Sequence, residues 1–244
     1  MSRTHQDIYR DIYRDIEFPA RVREGAAKPY VFINMVASVD GKTAVEEKAS
    51  GLGTAVDRDA MRTLRSKADA VMVGGGTVRA EKLALGLDAE DPRPRPLGVI
   101  LTNAGGETLE RALERNLVRD ESQRILVLLA ESAPRNAEGP LGRLAETRRV
   151  PASEHGLIHP ASALATLKTE YGIDLLLCEG GPTLNHALIS ADLADELFVT
   201  LAPTIVGEGA PGIVAGTLVK RRVLRLLSMH PTGDEIFLRY ALGS

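Results

Sequence analysis

From residue 30 onward, short apolar runs take turns with stretches in which apolar residues recur at helical spacing. Tyr30–Ala37 (YVFINMVA) is an apolar run closed by the turn chemistry of Asp40-Gly41, which predicts a buried strand. Thr54-x-x-Asp57 has the form of a capping box, and Ala60, Met61, Leu64 and Ala68 follow at helical spacing. The same reading gives strands at Ala70–Gly74, Leu97–Thr102, Ile125–Ala130 and Asp174–Cys178. It gives helices at Glu107–Leu117, Leu141–Thr147, Pro160–Tyr171 and Thr183–Ser190, and a short one after Gly75-Gly76-Thr77. Three strands close the chain, Glu196–Ala202, Lys220–Met229 and Glu235–Leu242, with a glycine-rich loop, Gly207–Gly216, among them. Strand–helix alternation followed by consecutive strands predicts an α/β fold. Its central sheet is mostly parallel and flanked by helices, with antiparallel strands at the C-terminal edge.

Ahead of this lies DIYRDIYRDI, which places Ile8, Ile12 and Ile16 on one helical face with Tyr9 and Tyr13 beside them. A helix lying on its own domain is expected, with a partner-bracing helix as the alternative. Pro19 and Glu24–Pro29 read as a linker. The expected organisation is therefore an arm and linker over residues 1–29 and one domain over 30–244.

Composition narrows the function classes. In 244 residues, Lys+Arg 30 against Asp+Glu 33 leaves a net charge of −3, so no overall basic charge recruits nucleic acid. The lone cysteine, Cys178, has no disulfide partner within the chain and reads as a buried small hydrophobe. Scattered histidines predict no metal centre. With neither a signal-peptide pattern nor an apolar run near 18 residues, a cytoplasmic protein without a membrane span is expected.

Four glycine-containing segments compete for chemistry. Gly207-x-Gly209-x-x-Gly212 matches a dinucleotide fingerprint literally, but no helical pattern follows it and too little chain remains for a βαβ unit. It reads as loop. In contrast, Gly74-Gly75-Gly76-Thr77 and Glu179-Gly180-Gly181-Pro182-Thr183 each sit where a strand hands over to a helix. Small residues there leave backbone N–H groups uncovered at a helix N-terminus, Thr77 is placed to cap, and Pro182 suits the first helical turn. Two such turns at one sheet edge fit a ligand with two phosphates, such as a dinucleotide. Ser38-Val39-Asp40-Gly41-Lys42, ending the first strand, brings a hydroxyl, a carboxylate and an amine together, or is an ordinary Asp-Gly turn.

Taken together, NMVASVDGKTA (Asn34–Ala44), LRSKADAVMVGGGTV (Leu64–Val78), ILT (Ile100–Thr102) and CEGGPTLNHAL with DELFVTLAPTIVG resemble the pyrimidine reductase family of riboflavin biosynthesis. The resemblance implies a dihydrofolate-reductase-like fold over 30–244, NADPH as cofactor and a homodimer. It covers neither the N-terminal arm nor the deaminase half of many bacterial members. It places Gly74, Gly76, Thr77 and Val78 on one side of the NADPH pyrophosphate, and Gly180, Gly181 and Thr183 on the other. Thr102 would lie by the adenosine ribose, and Asn34, Ser38 and Arg65 by the substrate. Asp40 and Glu179 would be the catalytic carboxylates. The implied reaction is that of 5-amino-6-(5-phosphoribosylamino)uracil reductase, turning ribosylamino into ribitylamino. One segment departs from the family pattern: Glu81-Lys82 replace an Asp-Asp pair, and Asp88 stands where an Arg is expected to grip the substrate phosphate. That departure leaves an unphosphorylated pterin such as dihydrofolate open as substrate, and a non-catalytic nucleotide-binding protein as a third reading.

Overall fold

The computed structural model describes residues 12–19, 26–45, 51–81, 85–87, 95–117, 123–153, 155–218 and 220–243. Ile8, Tyr9, Lys82 and Asp88 lie outside them. Nine strands form one sheet: β1 (Tyr30–Ser38), β2 (Ala70–Gly74), β3 (Leu97–Thr102), β4 (Ile125–Ala130), β5 (Glu146–Val150), β6 (Leu175–Cys178), β7 (Glu196–Ala202), β8 (Arg225–Thr232) and β9 (Glu235–Ala241). Their spatial order is β5-β4-β3-β2-β6-β1-β7-β9-β8. All neighbours from β5 to β7 run parallel, whereas β9 pairs antiparallel with both β7 and β8. The expected α/β fold is the one observed.

The central strands read as continuous apolar runs because helices cover both of their faces. Successive side chains alternate between two cores. Phe32, Val71, Val73, Leu177 and Phe198 meet the helices α1 (Ala55–Arg65), α2 (Gly75–Ala80) and α3 (Glu107–Leu117). Val31, Ile33, Met72, Leu176 and Cys178 meet α4 (Pro160–Tyr171) and α5 (Pro182–Ser190) on the other face. Cys178 is fully buried, which pushes its thiol up to about 12 and keeps it a neutral packing group. Among the described residues, no helix is long and apolar enough to cross a membrane.

Three elements differ from expectation. The helix expected over Leu141–Thr147 is a 3₁₀ turn, Leu141–Arg143, followed by strand β5. Its sequence, ETRRV, has no apolar run to announce it. It is an edge strand, set by pairing with β4 and polar on its open side. Strand β8 begins five residues later than expected and runs through Pro231, which an edge strand tolerates because one side of its ladder is unpaired. The arm is not helical where described. Residues 12–15 form a turn in which Tyr13 takes a left-handed backbone (φ 67°).

Packing explains that turn. The Tyr13 ring lies edge-on to Phe198 (5.0 Å) and Phe237 (6.3 Å), and Phe18 stacks tilted against Phe32 at 4.6 Å. Burying these rings outweighs the helical preference of the repeat. The arm is then pinned by Lys67 Nζ donating to the Arg14 carbonyl (2.6 Å) and Arg239 Nη2 donating to the Glu17 carbonyl (3.1 Å).

Arg239 also holds a buried ion pair. Its Nε and Nη2 donate to Glu196 at 2.7 and 2.8 Å, and Tyr30 donates a third bond to the same carboxylate (2.8 Å). The two side chains are 12% and 4% exposed. Removing the cation leaves a buried carboxylate with one neutral donor. Arg239→Met should therefore lower unfolding free energy by about 3 kcal/mol in urea titrations.

Candidate active site

Four adjacent parallel strands, β2-β6-β1-β7, point their C-terminal ends at one edge of the sheet, the usual place for ligands in such folds. The two glycine turns meet there. Gly74 ends β2, caps α2 and donates its N–H to the Gly180 carbonyl at 2.8 Å. Gly180 adopts a left-handed backbone (φ 84°), and the Gly180–Gly181 peptide is cis. Gly181 caps α5, with Pro182 in its first turn as expected.

The glycines differ in what they face. A Cβ on Gly181 would come within 2.7 Å of Thr77 Oγ1, so the turns interlock through bare backbone. A Cβ on Gly75 would meet Thr102 Cβ and Oγ1, both at 2.7 Å. Gly76 faces open space. Thus Gly75, absent from the expected site, is required for packing, while Gly76 borders the cleft. Thr77 lies inside α2 instead of capping it, because Gly74 takes the cap position. Val78 is buried in the core, so only its backbone is open to a ligand. Thr102 is buried beneath Gly75 and donates to the Ala104 carbonyl (2.7 Å), whereas Thr183 is exposed on α5.

Beside these turns stands a buried charge pair. Arg65, at the end of α1, donates from Nε and Nη2 to Glu179 Oε1 and Oε2 at 2.7 and 2.6 Å. Its Nη1 donates to the Gly86 carbonyl (2.9 Å). The side chains are 6% and 10% exposed. Arg65 thus holds Glu179. Strand register pairs Ile33 with Cys178, which sets Asn34 beside Glu179 on the same side of the sheet. The Asn34 amide is half-buried and has no hydrogen-bond partner among the described residues. It is available to a ligand.

Asp40 has another task. It accepts from Ser38 Oγ (2.6 Å), Gly207 N (2.8 Å) and Val206 N (3.1 Å). The Ser38 hydroxyl, then the two N–H groups, hold its carboxyl down at about 2. So held, Asp40 is a charged acceptor at the rim of the cleft. Ser38 is fully buried and also accepts from Lys42 N (2.8 Å), making it the clip of the Asp40-Gly41 turn. Together they tie the end of β1 to the 203–217 loop. Gly207 and Gly209 supply positive φ in that loop, and no helix follows them among the described residues.

Sequence reasoning saw Asp57 only as a capping-box residue. Thr54 Oγ1 does accept from Val56 N (3.1 Å) and Asp57 N (3.5 Å). The return half of the box comes from β9, where Glu235 accepts from Thr54 N (3.3 Å) and Thr54 Oγ1 (2.6 Å). Asp57 instead accepts from the Thr200 hydroxyl of β7, and burial pushes its carboxyl up to about 6. No sequence signal marks that contact, because Thr200 is 143 positions away.

The family model described as the RibD C-terminal domain matches residues 29–238. The chain belongs to this family. It is 29% identical over 227 residues to the 2,5-diamino-6-ribosylamino-4(3H)-pyrimidinone 5′-phosphate reductase of Methanothermobacter thermautotrophicus, covering 88% of this chain and 99% of the relative. It is 31% identical over 190 residues to the Archaeoglobus fulgidus protein of the same name, covering 74% and 83%. Among solved structures it is similar to the Thermotoga maritima diaminohydroxyphosphoribosylaminopyrimidine deaminase/5-amino-6-(5-phosphoribosylamino)uracil reductase, with TM-score 0.69 and 23% identity. That likeness spans 88% of this chain and 57% of the other. The RibD C-terminal domain family is one of reductases, and the fold is theirs.

The contrast between adjacent glycines gives a direct check. Gly75→Ala should cost about 1–3 kcal/mol by overpacking against Thr102. Gly76→Ala should stay near wild type, both measured by chemical denaturation.

Proposed function

We propose that this RibD C-terminal domain protein is an NADPH-dependent reductase of a ribosylaminopyrimidine 5′-phosphate, converting the ribosylamino group to ribitylamino. The observation that supports this best is the buried Arg65–Glu179 pair, set between the two bare-backbone turns and the free amide of Asn34. The turns fit a dinucleotide. Gly76 faces open space where a side chain would crowd a phosphate, and Gly74, Gly180 and Gly181 bring the two turns together through bare backbone, with Thr77 and Thr183 beside them and Val78 and Thr102 beneath. Bound there, the nicotinamide would supply hydride.

The protein's own work is alignment and charge. Opening of the ribose leaves a C1′=N bond to the ring amine. Hydride adds at C1′, one proton is taken up, and the nitrogen ends as a secondary amine. Positive charge on that nitrogen before transfer is met by the Glu179 carboxylate, which Arg65 fixes in place. Asn34 lies alongside to orient the substrate. Asp40 contributes by keeping the end of β1 and the 203–217 loop together at the rim.

Binding and turnover should separate. At a hundredfold excess over Kd, NADPH should stabilise the protein by about 2.7 kcal/mol, raising Tm by roughly 5–10 °C. Gly76→Val should lose this shift while folding normally. Glu179→Gln should keep the shift and lower kcat by about 10²-fold in NADPH oxidation with the pyrimidine phosphate. Dihydrofolate run alongside should be reduced far more slowly; faster turnover of it would replace the substrate assigned here.

The two sheet edges support assembly as a homodimer. The β5 edge is blunted by charge, with Arg148 paired to Glu170 at 2.7 Å. The β8 edge instead exposes Leu226 and Met229, with Val223 just before it and Ile236 on β9. Such an unpaired apolar edge suits a second copy. Light scattering after size exclusion should give a dimer, and Leu226→Lys combined with Met229→Glu should give a monomer.

A further inference from the structure

The start of α1 holds a carboxylate that the helix does not need. Glu235 supplies the return half of the Thr54 cap, which frees Asp57 to turn toward the sheet and accept from Thr200. Thr200 pairs in register with Val36, two positions beyond Asn34, and Asn34 neighbours Glu179. Asp57, on α1, therefore faces the side of the sheet that carries Asn34 and Glu179. Asp57 and Arg65 sit eight residues apart on that helix, about 12 Å along its axis. Asp57 itself is only partly exposed.

Among the described residues, its surroundings are short of donors. Glu235 and Glu179 face it with like charge, and Arg58 is the cation that acts on it. The hydroxyl of Tyr13, from the arm, lies close enough to feel its charge. Tyr13 is 3% exposed, and its hydroxyl has no hydrogen-bond partner among the described residues. Among the described residues, one carboxylate with a single hydroxyl donor leaves acceptor capacity open, and beside it sits a buried polar atom without a partner. Both features call for a polar ligand edge rich in N–H.

The two rings named for this chain's relatives differ at one such edge. A 2-amino-4(3H)-pyrimidinone carries its amino group next to N3–H, so two adjacent donors match the two oxygens of a carboxylate. A uracil carries O2 in place of the amino group, and O2 against a carboxylate oxygen is repulsive. We propose that Asp57 is a specificity-determining residue that reads this edge, so that the protein reduces the 2-amino ring in preference to the uracil left by its deamination. The inference rests on the pyrimidine-phosphate reading above.

The test compares kcat/KM for 2,5-diamino-6-ribosylamino-4(3H)-pyrimidinone 5′-phosphate and 5-amino-6-(5-phosphoribosylamino)uracil. The wild type should favour the first at least tenfold near pH 7.5. Asp57→Asn presents one N–H and one carbonyl, the complement of O2 and N3–H, and should bring the ratio to parity or invert it. Asp57→Ser should abolish the preference without inverting it; a retained NADPH shift in Tm shows that each variant is folded. Below about pH 6 the protonated Asp57 also offers one donor and one acceptor, so the wild-type preference should shrink toward pH 5 while the variants' ratios stay flat. A wild-type ratio near one, or a ratio that Asp57→Asn leaves unchanged, overturns the assignment. If neither compound is reduced, the functional reading above fails instead. Titration calorimetry of the two compounds then decides Asp57: tighter binding of the 2-amino ring sustains it, and equal affinity overturns it.

Discussion

The bidentate pair of Arg65 and Glu179 joins the helical layer to the ligand edge of the sheet. Two charges removed from water attract strongly only when geometry is good and the spare donors are met. Both conditions hold here, since Arg65 reaches both carboxylate oxygens and also the Gly86 carbonyl. Because Glu179 immediately precedes the Gly180–Gly181 turn, the end of α1, the end of β6 and the glycine turn share one anchor. The cleft inherits its shape from that anchor, and breaking either half leaves the other charge buried alone.

Around this anchor the same residue type is tuned to different ends. Asp40 sits among three donors at the open rim and is held at about 2. Asp57, buried beside Glu235 and Glu179 with a single hydroxyl donor among the described residues, rises to about 6. Donor count and desolvation account for the difference. One carboxylate is a fixed staple between β1 and the following loop; the other changes charge within a physiological range. Neither behaviour follows from being an aspartate.

The arm shows how tertiary packing redirects local preference. Its four-residue repeat favours a helix, yet Tyr13 takes a left-handed backbone so that its ring can lie against Phe198 and Phe237. Arg239 links the arm to Glu196, and Tyr30 completes that carboxylate's partners. The arm thereby becomes part of one core, below the acids of the cleft.

The order of elements, the parallel centre and the two glycine turns were legible in the chain itself. Apolar runs buried on both faces, the helical periodicity of α1, α3 and α4, and Gly-Pro punctuation are local signals that the packing leaves intact. Pro160–Tyr171 and Leu97–Thr102 were expected within the bounds observed. Strand β5 was not legible, because ETRRV becomes a strand only through its neighbour β4. Nor was the partition of Gly75 and Gly76 into a packing glycine and a cleft glycine, which depends on where Thr102 lies. The roles of the carboxylates were decided last, by contacts spanning long stretches of chain: Asp40 with Gly207, Arg65 with Glu179, Asp57 with Thr200 and Glu235 with Thr54. Sequence determines which groups are available; their charge and task depend on which donors and how much water the fold leaves around them.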